Sequence, residues 1–279
     1  MDLLLMASDP LLLSAVCDPS AARDCKLSGV VIDLERWGKP SRQQAARALL
    51  GVETTMSQDT LESLQRARRI VPPSVSLICR TNDISLIGDR EVDEIVDAGA
   101  DELLLPMIRS AREVERIMTL VAGRAGVGIM VETPEALERM ADLGCLPVSR
   151  MYIGLMDLAL ERRSLSPFVA LIDGTVDRIR SAVTAPLGVA GLTVPVGGSP
   201  VPSRLIAAEL ARLGLDFTVL RRSFLSDVEG LDAPAIRGAI SSIRKATQLL
   251  LSRTTEECEA DRRAFVDSVL ASMPDGGHR

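Results

Sequence analysis

The sequence predicts an α/β fold: a single closed (β/α)₈ TIM barrel with additional C-terminal helices. Short apolar runs rich in β-branched residues alternate with amphipathic helical stretches along the chain, and eight strand–helix units can be counted. The apolar runs are almost continuously hydrophobic, which is typical of parallel strands buried on both faces. An open, doubly wound sheet is the alternative, but eight strands would make it unusually wide.

The predicted strands and helices follow one another without a low-complexity linker. The strand candidates are LLLMAS (3–8), GVVIDLE (29–35), SVSLICRTN (74–82), ELLLPMI (102–108), GVGIMVET (126–133), RMYIGLMD (150–157), LGVAGL (187–192) and FTVLRRSF (217–224). Helical patterns such as TLESLQRARRI and SAREVERIMTLV lie between them, and several patterns begin and end as capped helices do. We therefore expect one barrel domain over residues 1–253, followed by a C-terminal helix and tail over residues 254–279.

Composition excludes several functional classes. A formal net charge of −6 and an aromatic content of 2% argue against a nucleic-acid partner, which needs a basic face and stacking rings. No run approaches the roughly 18 uncharged apolar residues of a membrane span. The opening MDLLLMASDPLLL lacks a basic flank, so it predicts a buried strand rather than a signal peptide. The five cysteines form no CxxC pair and are odd in number, which predicts a reduced, cytoplasmic protein.

Polar side chains interrupt the apolar runs mostly at the carboxyl ends of the predicted strands. They are Asp33, Glu35, Arg80, Asn82, Glu132, Asp157, Arg221 and Arg222. In a parallel barrel these ends open onto one face, and that face holds the active site. Alternation along a strand also places Asp33 and Glu35 on one side, and Arg80 and Asn82 on one side.

Glu132 and Asp157 form the most informative pair. They are separated by about one strand–helix unit, so we expect them at the ends of adjacent strands. Two neighbouring carboxylates repel each other unless a cation or a proton intervenes. Two oxygen ligands, with the remaining positions left to water and substrate, suit Mg²⁺ or Mn²⁺. The sequence therefore predicts a divalent-metal site on these two residues.

Other chemistries fit the sequence poorly. Zinc lacks ligands, since the single histidine is His278 in the tail and the cysteines do not cluster. A Schiff-base mechanism needs a lysine on a late strand, and the three lysines, Lys26, Lys39 and Lys245, do not supply one. No GxSxG, P-loop or GxGxxG motif occurs, so hydrolase-triad, Walker-type nucleotide and dinucleotide sites have no support.

Six fragments carry a family resemblance. GVVIDLERWGKPSRQ, LICRTN, GADELLLPM, GIMVETPEAL, YIGLMDLAL and LRRSF occur in this order across residues 29–225. Together they resemble the HpcH/HpaI aldolase and citrate lyase β-subunit family of the phosphoenolpyruvate/pyruvate barrel superfamily. The resemblance implies that Glu132 and Asp157 bind the metal and that Arg80 contacts a carboxylate or enolate oxygen of the substrate. It is closest to a branch with a GKxxRQ loop, here Lys39, Arg42 and Gln43.

Two positions depart from that family. The pyruvate aldolases have a histidine that assists proton transfer where this chain has Arg36, and the citrate lyase-like members have an aspartate there. Met156 also replaces a polar residue beside the proposed ligand Asp157. The group that transfers the proton is therefore open between Glu35, a metal-bound water and the substrate itself.

The function expected from these residues is a metal-dependent carbon–carbon lyase acting on a 2-oxo acid or a similar small carboxylate. Mg²⁺ or Mn²⁺ on Glu132 and Asp157 would stabilise an enolate, Arg80 would add a fixed positive charge, and backbone N–H groups around Gly154 would hold the carboxylate. One alternative is an acyl-CoA thioester lyase or hydrolase of the citrate lyase type. The other is a barrel without catalysis that binds a metabolite or a protein.

Each site residue also has a purely structural interpretation. Asp157 would cap the next helix, and Glu132 would favour a helix N-terminus through the dipole. Arg80 would bridge to Asp33 or Glu35, and Glu35 would either support the metal site from outside or form a plain ion pair. Lys39, Arg42 and Gln43 are expected to form a substrate-binding loop, and the alternative is a solvated charged loop.

The C-terminal segment predicts self-association. The stretch IRGAISSIRKATQLLL spaces Ile236, Ile240, Ile243 and Leu249 along one apolar helix face. Family members often exchange a terminal helix between subunits, so we expect a homo-oligomer. The alternative is that this helix and the AFVDSVLASM stretch cover their own barrel.

Overall fold

Eight parallel strands, paired in sequence order, close a barrel in the computed structural model, which describes residues 1–18, 20, 25–50 and 57–273. They are β1 (Asp2–Met6), β2 (Gly29–Asp33), β3 (Ser76–Arg80), β4 (Glu102–Leu105), β5 (Gly126–Val131), β6 (Met151–Ile153), β7 (Leu187–Ala190) and β8 (Phe217–Leu220). The last strand pairs with the first, with Leu4 beside Val219. The predicted TIM barrel is confirmed, and the strands are shorter than the apolar runs that predicted them.

The α-helices in the described residues surround this barrel. They are α1 (Pro10–Val16), α2 (Lys39–Leu50), α3 (Leu61–Ile70), α4 (Asp89–Asp97), α5 (Ala111–Val121), α6 (Pro134–Glu138), α7 (Met140–Gly144), α8 (Leu155–Glu161), α9 (Val169–Ile172), α10 (Thr175–Ala182), α11 (Ser203–Arg212), α12 (Arg222–Asp227), α13 (Ala233–Leu249) and α14 (Thr255–Ala271). Capping boxes at Thr60, Ser110 and Thr254 fix where α3, α5 and α14 begin. Within the same residues, no helix has the length and apolarity needed to cross a bilayer.

The barrel interior is closed at the amino ends of the strands. Its core consists of inward-facing side chains, one or two from most strands: Leu4, Val31, Ile78, Leu104, Met130, Tyr152, Phe217 and Val219. Beneath them, Arg150 Nε donates to Glu102 Oε1 at 2.7 Å, and the Arg150 guanidinium lies 5.4 Å from the centroid of the Phe217 ring. Because this end is filled by apolar packing and a buried ion pair, ligand access is left to the carboxyl ends.

The two C-terminal helices pack onto the barrel of their own chain. Ile236, Ile240 and Ile243 of α13 are buried, whereas Leu249 is 73% exposed. Phe265 and Val269 of α14 are buried in the main core beside α11. The apolar face predicted to bind a second copy therefore mostly covers its own barrel, and a homo-oligomer stays a prediction. The tail from residue 274, with His278, lies outside the described residues.

The packing of α14 predicts a stability effect. Phe265→Ala removes a side chain that is fully buried between α14 and the barrel, so the free energy of unfolding should fall by about 3–5 kcal/mol. Equilibrium urea unfolding measures it. Leu270→Ala in the same helix is the matched control, since that side chain is 53% exposed and should change stability little. Equal stability of the Phe265 variant and the wild type would contradict the observed packing.

Candidate active site

The polar residues that follow the strands meet at one rim of the barrel, as predicted. Asp33 and Arg80 end β2 and β3, and Glu132 directly follows β5. Asp157 lies in the first turn of α8, not on a strand. It is also not the N-cap, which is Gly154, because β6 ends at Ile153, four residues before the end of the predicted strand.

Arg80 is the centre of a buried ion network. Its Nε donates to Asp33 Oδ1 at 2.8 Å and its Nη2 donates to Asp33 Oδ2 at 2.7 Å, while Nη1 lies 3.0 Å from Glu35 Oε2. Burial opposes ionisation of Asp33, but the positive charges of Arg80 and Lys39 hold the pKa of that carboxyl well below its ordinary value. The structural bridge considered for Arg80 is therefore present, and Arg80 also lines the cavity described below.

The GKxxRQ segment is the start of helix α2, so the expected loop is wrong. Gly38, with φ of +73°, turns the chain into the helix. Lys39 Nζ donates to Asp33 Oδ2 at 2.8 Å, and Arg42 forms ion pairs with Glu35 and with Asp157, whose Oδ1 lies 3.0 Å from Arg42 Nε.

Burial distinguishes these side chains from a solvated charged loop. The side chains of Lys39 and Arg42 are 11% and 17% exposed, because both reach inward to the rim carboxylates. Gln43 lines a small cavity with them, and its Nε2 is buried without a hydrogen-bond partner among the described residues. The solvated alternative is therefore wrong for this segment.

Glu132 differs from the other rim carboxylates because it forms no ion pair in the described residues, whereas Asp33, Glu35 and Asp157 each contact a cation. Oε1 accepts a hydrogen bond from the Met107 N–H at 2.9 Å, and Oε2 is buried with no partner in the described part of the chain. Burial and the negative charges of Asp157 and Glu35 raise the pKa of Glu132 to about 8. Burial also raises the pKa of Asp157, although Arg42 acts against it.

Gly154 has a different role from the one predicted. Its N–H donates to the Val131 carbonyl oxygen at 3.2 Å and is not available to a substrate carboxylate. A Cβ at this position would overlap Glu132 Oε2. The glycine is therefore needed so that the Glu132 carboxylate can lie against the start of α8.

These contacts decide whether a divalent metal fits. A buried, partnerless carboxylate oxygen beside a second carboxylate with a raised pKa is an electrostatic environment that a cation relieves. In the residues that the structure describes, no three Asp, Glu, His or Cys side chains are grouped to hold a metal. Glu132 and Asp157 thus fit an ion that takes its remaining ligands from water and substrate, as Mg²⁺ does.

A cavity of about 450 Å³ opens at this rim. Arg80, Glu132 and Asp157 line it together with apolar side chains that include Met130, Tyr152, Met156 and Phe168. Arg221 and Arg222, which the sequence placed at the carboxyl end of the last strand but not among the catalytic residues, also line it. Phe168 belongs to the connection after α8, and no periodic pattern in the sequence marks it as a cavity residue.

Neither Glu35 nor Arg36 reaches this cavity. Glu35 contacts Arg80 and Arg42 and lines only the small neighbouring cavity. The Arg36 guanidinium donates to the carbonyl oxygens of Gln58 and Asp59 at 3.2 and 2.7 Å. The contacts of Glu35 match the ion-pairing alternative considered from the sequence.

Because Gly154 lies against Glu132, substitutions at these two positions should have non-additive effects on stability. Gly154→Ala places a methyl group against a buried carboxylate and should lower the free energy of unfolding by about 1–3 kcal/mol. Adding Glu132→Ala should restore part of the loss, as a double-mutant cycle in urea unfolding would detect. Gly238→Ala on α13, where nothing lies within 4 Å, is the control without a clash. Additive effects of the two substitutions would contradict the geometry.

The raised pKa of Glu132 predicts how the metal-free protein depends on pH. The folded state keeps a proton on Glu132 up to about pH 8, whereas the unfolded chain loses it near 4.5. The folded state thus binds more protons between these values, so the free energy of unfolding should fall as pH rises through this window. Urea unfolding in EDTA measures this, and Glu132→Gln should lose that part of the decline. Glu138→Gln at an exposed site should keep it, and parallel curves for wild type and Glu132→Gln would contradict the assignment.

Comparisons with known proteins show the fold. No protein-family model and no curated protein sequence matches the chain. An HpcH/HpaI aldolase/citrate lyase family protein from Burkholderia cenocepacia is similar in structure, at 13% identity and a TM-score of 0.60 over 90% of this chain and 95% of that chain. An HpcH/HpaI aldolase from Desulfitobacterium hafniense, at 11% identity, has a TM-score of 0.57 over 85% and 92%. A tryptophan synthase structure from M. tuberculosis, at 14% identity, has a TM-score of 0.53 over 88% and 92%. This chain has the TIM-barrel fold that these chemically different proteins share.

Proposed function

We propose that this protein is a divalent-metal-dependent carbon–carbon lyase of the HpcH/HpaI aldolase and citrate lyase type. It would form or cleave a pyruvate-like enolate from a small 2-oxo acid. The observation that carries the proposal is the buried, partnerless Oε2 of Glu132 on the wall of a cavity that Asp157 also lines. The six family-like sequence fragments and the likeness of the fold to HpcH/HpaI aldolases support it.

The metal would be held by Glu132 and Asp157. When bound, Mg²⁺ or Mn²⁺ supplies a Lewis acid that stabilises negative charge on the oxygens of a 2-oxo acid. Oxygen ligands from carboxylates suit these two ions better than zinc.

Arg80 would supply a second, immobile positive charge. Asp33 holds two nitrogens of its guanidinium by hydrogen bonds, and Glu35 contacts the third, so the group keeps one orientation without reorganising during a reaction. The apolar side chains of Met130, Tyr152 and Phe168 line the same cavity. They lower the local dielectric and strengthen the interaction of Arg80 with a substrate anion.

Glu35 would act as a positioning residue. Its carboxylate contacts the guanidinium groups of Arg80 and Arg42 and does not line the main cavity. Proton transfer would then fall to a water molecule or to a hydroxyl group of the substrate, the alternatives that the sequence left open.

A second candidate function rests on Arg42. Its guanidinium already lies against Asp157, as an internal cation would in a barrel that binds a metabolite or a protein without catalysis. Metal binding distinguishes the two candidates, because a barrel of that kind has no need of a divalent ion at Asp157.

The proposal predicts that both carboxylates are required for metal binding and for turnover. Glu132→Gln and Asp157→Asn should each weaken Mn²⁺ binding about a hundredfold or more, since a lost ligand costs at least as much as a lost supporting contact. Electron paramagnetic resonance of free Mn²⁺ measures binding, and pyruvate release from 4-hydroxy-2-oxo acids measures activity.

Glu138→Gln, an exposed carboxylate on α6, is the control and should behave as the wild type. A parallel assay with malyl-CoA and citramalyl-CoA tests the thioester alternative. Full activity of the Glu132→Gln, Asp157→Asn double variant in EDTA would overturn the proposal.

A further inference from the structure

Arg221 is a half-buried cation at the rim of the barrel, and its side chain has no partner among the described residues. It follows β8 directly and lines the main cavity. It also lines a second cavity of about 360 Å³ on the side of β1 and β2, with Met6, Ser8 and Asp59 among its lining residues. Over the part of the chain that the structure describes, the Arg221 side chain makes no hydrogen bond and no ion pair, unlike Arg42 and Arg80 at the same rim.

A second guanidinium lies next to it. Arg222 lines the same two cavities. Partial burial lowers the pKa of Arg222, and the positive charges of Arg221 and Arg80 lower it further, against the opposing effect of Tyr152. Arg222 has an interaction of its own, so the unpaired charge is that of Arg221, and Arg222 adds a second guanidinium to the same cavity wall. An anion bound beside two neighbouring cations relieves their mutual repulsion.

Most of the carboxylates that line these cavities are already engaged, and the exception, Glu132, forms no ion pair with Arg221 in the described residues. Asp33 is bound by Arg80 and Lys39, and Asp157 contacts Arg42. Asp59 accepts hydrogen bonds from the Ser8 hydroxyl and from the Asp33 N–H. None of them forms an ion pair with Arg221, so the charge of Arg221 is left for a ligand.

We propose that Arg221 and Arg222 form a phosphate-binding site at the rim of the cavity. A phosphate monoester carries nearly two negative charges and three acceptor oxygens, which matches two guanidinium groups better than a single carboxylate does. The hydroxyl groups of Ser223 and Ser226 line the same cavity and are further donors.

This site narrows the class of substrate, and that part of the inference rests on the proposed function. Glu132 follows β5 and Arg221 follows β8, so the carboxylate pair and the arginine pair stand on different sectors of one barrel rim around a shared cavity. A 2-oxo acid bound at the first pair would carry its phosphate at the second. The substrate class is therefore a phosphorylated 2-oxo acid, with the phosphate on the half that leaves as the aldehyde.

Isothermal titration calorimetry with inorganic phosphate tests the site without any metal. In EDTA and at constant ionic strength, the wild-type protein should bind phosphate, and Arg221→Gln should weaken binding about tenfold or more, the loss expected for charge-assisted hydrogen bonds. Arg221→Lys, which keeps the charge but not the forked geometry, should lie between them. Arg139→Gln, an exposed arginine outside both cavities, should bind as the wild type.

Two further arms separate the possible outcomes. Glu132→Gln should keep full phosphate affinity, so a failure of the metal proposal leaves this result intact. Acetate should bind more weakly than phosphate, and tighter binding of acetate would overturn the assignment to phosphate. No binding of phosphate to the wild type, or equal binding to a folded Arg221→Gln variant, would overturn the site itself. Thermal unfolding of each variant verifies that it is folded.

Discussion

Charge balance inside the barrel rim is the constraint on which the site depends. Four carboxylates (Asp33, Glu35, Glu132 and Asp157) face three cations (Lys39, Arg42 and Arg80) on adjacent elements. Buried charges are tolerated when they are paired and hydrogen-bonded, and the observed contacts pair every member except Glu132. Three of these carboxylates thus have a cationic partner. The fourth, Glu132, has none in the described residues and lies on the wall of the cavity.

Helix α2 supplies two of the three cations in this charge balance. Lys39 and Arg42 are three residues apart, so one face of the helix carries both into the rim. Lys39 supports Asp33, which in turn fixes Arg80, while Arg42 joins Glu35 to Asp157. The charge pairing at the rim therefore depends on a helix that belongs to the outer layer of the barrel, and not only on residues that follow strands.

The fold could be predicted from the sequence because it depends on patterns that repeat. Apolar runs and capping residues are local signals that mark strands and helices. Eight strand–helix units in series are compatible with few architectures. The proximity of Glu132 and Asp157 follows from the same repeat. The contacts of Arg42 do not, because they join α2 to α8 across the rim, and no local pattern shows whether a charged segment lies in water or in a buried network. For the same reason, no local pattern shows whether Arg221 and Arg222 point into the barrel mouth or into solvent, and the structure places both at the cavity wall.

The low identity to solved barrels leaves function to be argued from the site, since one barrel fold hosts many chemistries.

The central claim is that Glu132 and Asp157 share one divalent ion. Anomalous diffraction from crystals soaked with Mn²⁺ and oxalate tests it most directly. The account predicts a manganese peak in contact with both carboxylates and with oxalate. A rim without manganese, in which Asp157 stays on Arg42 and Glu132 stays unpaired, would contradict it.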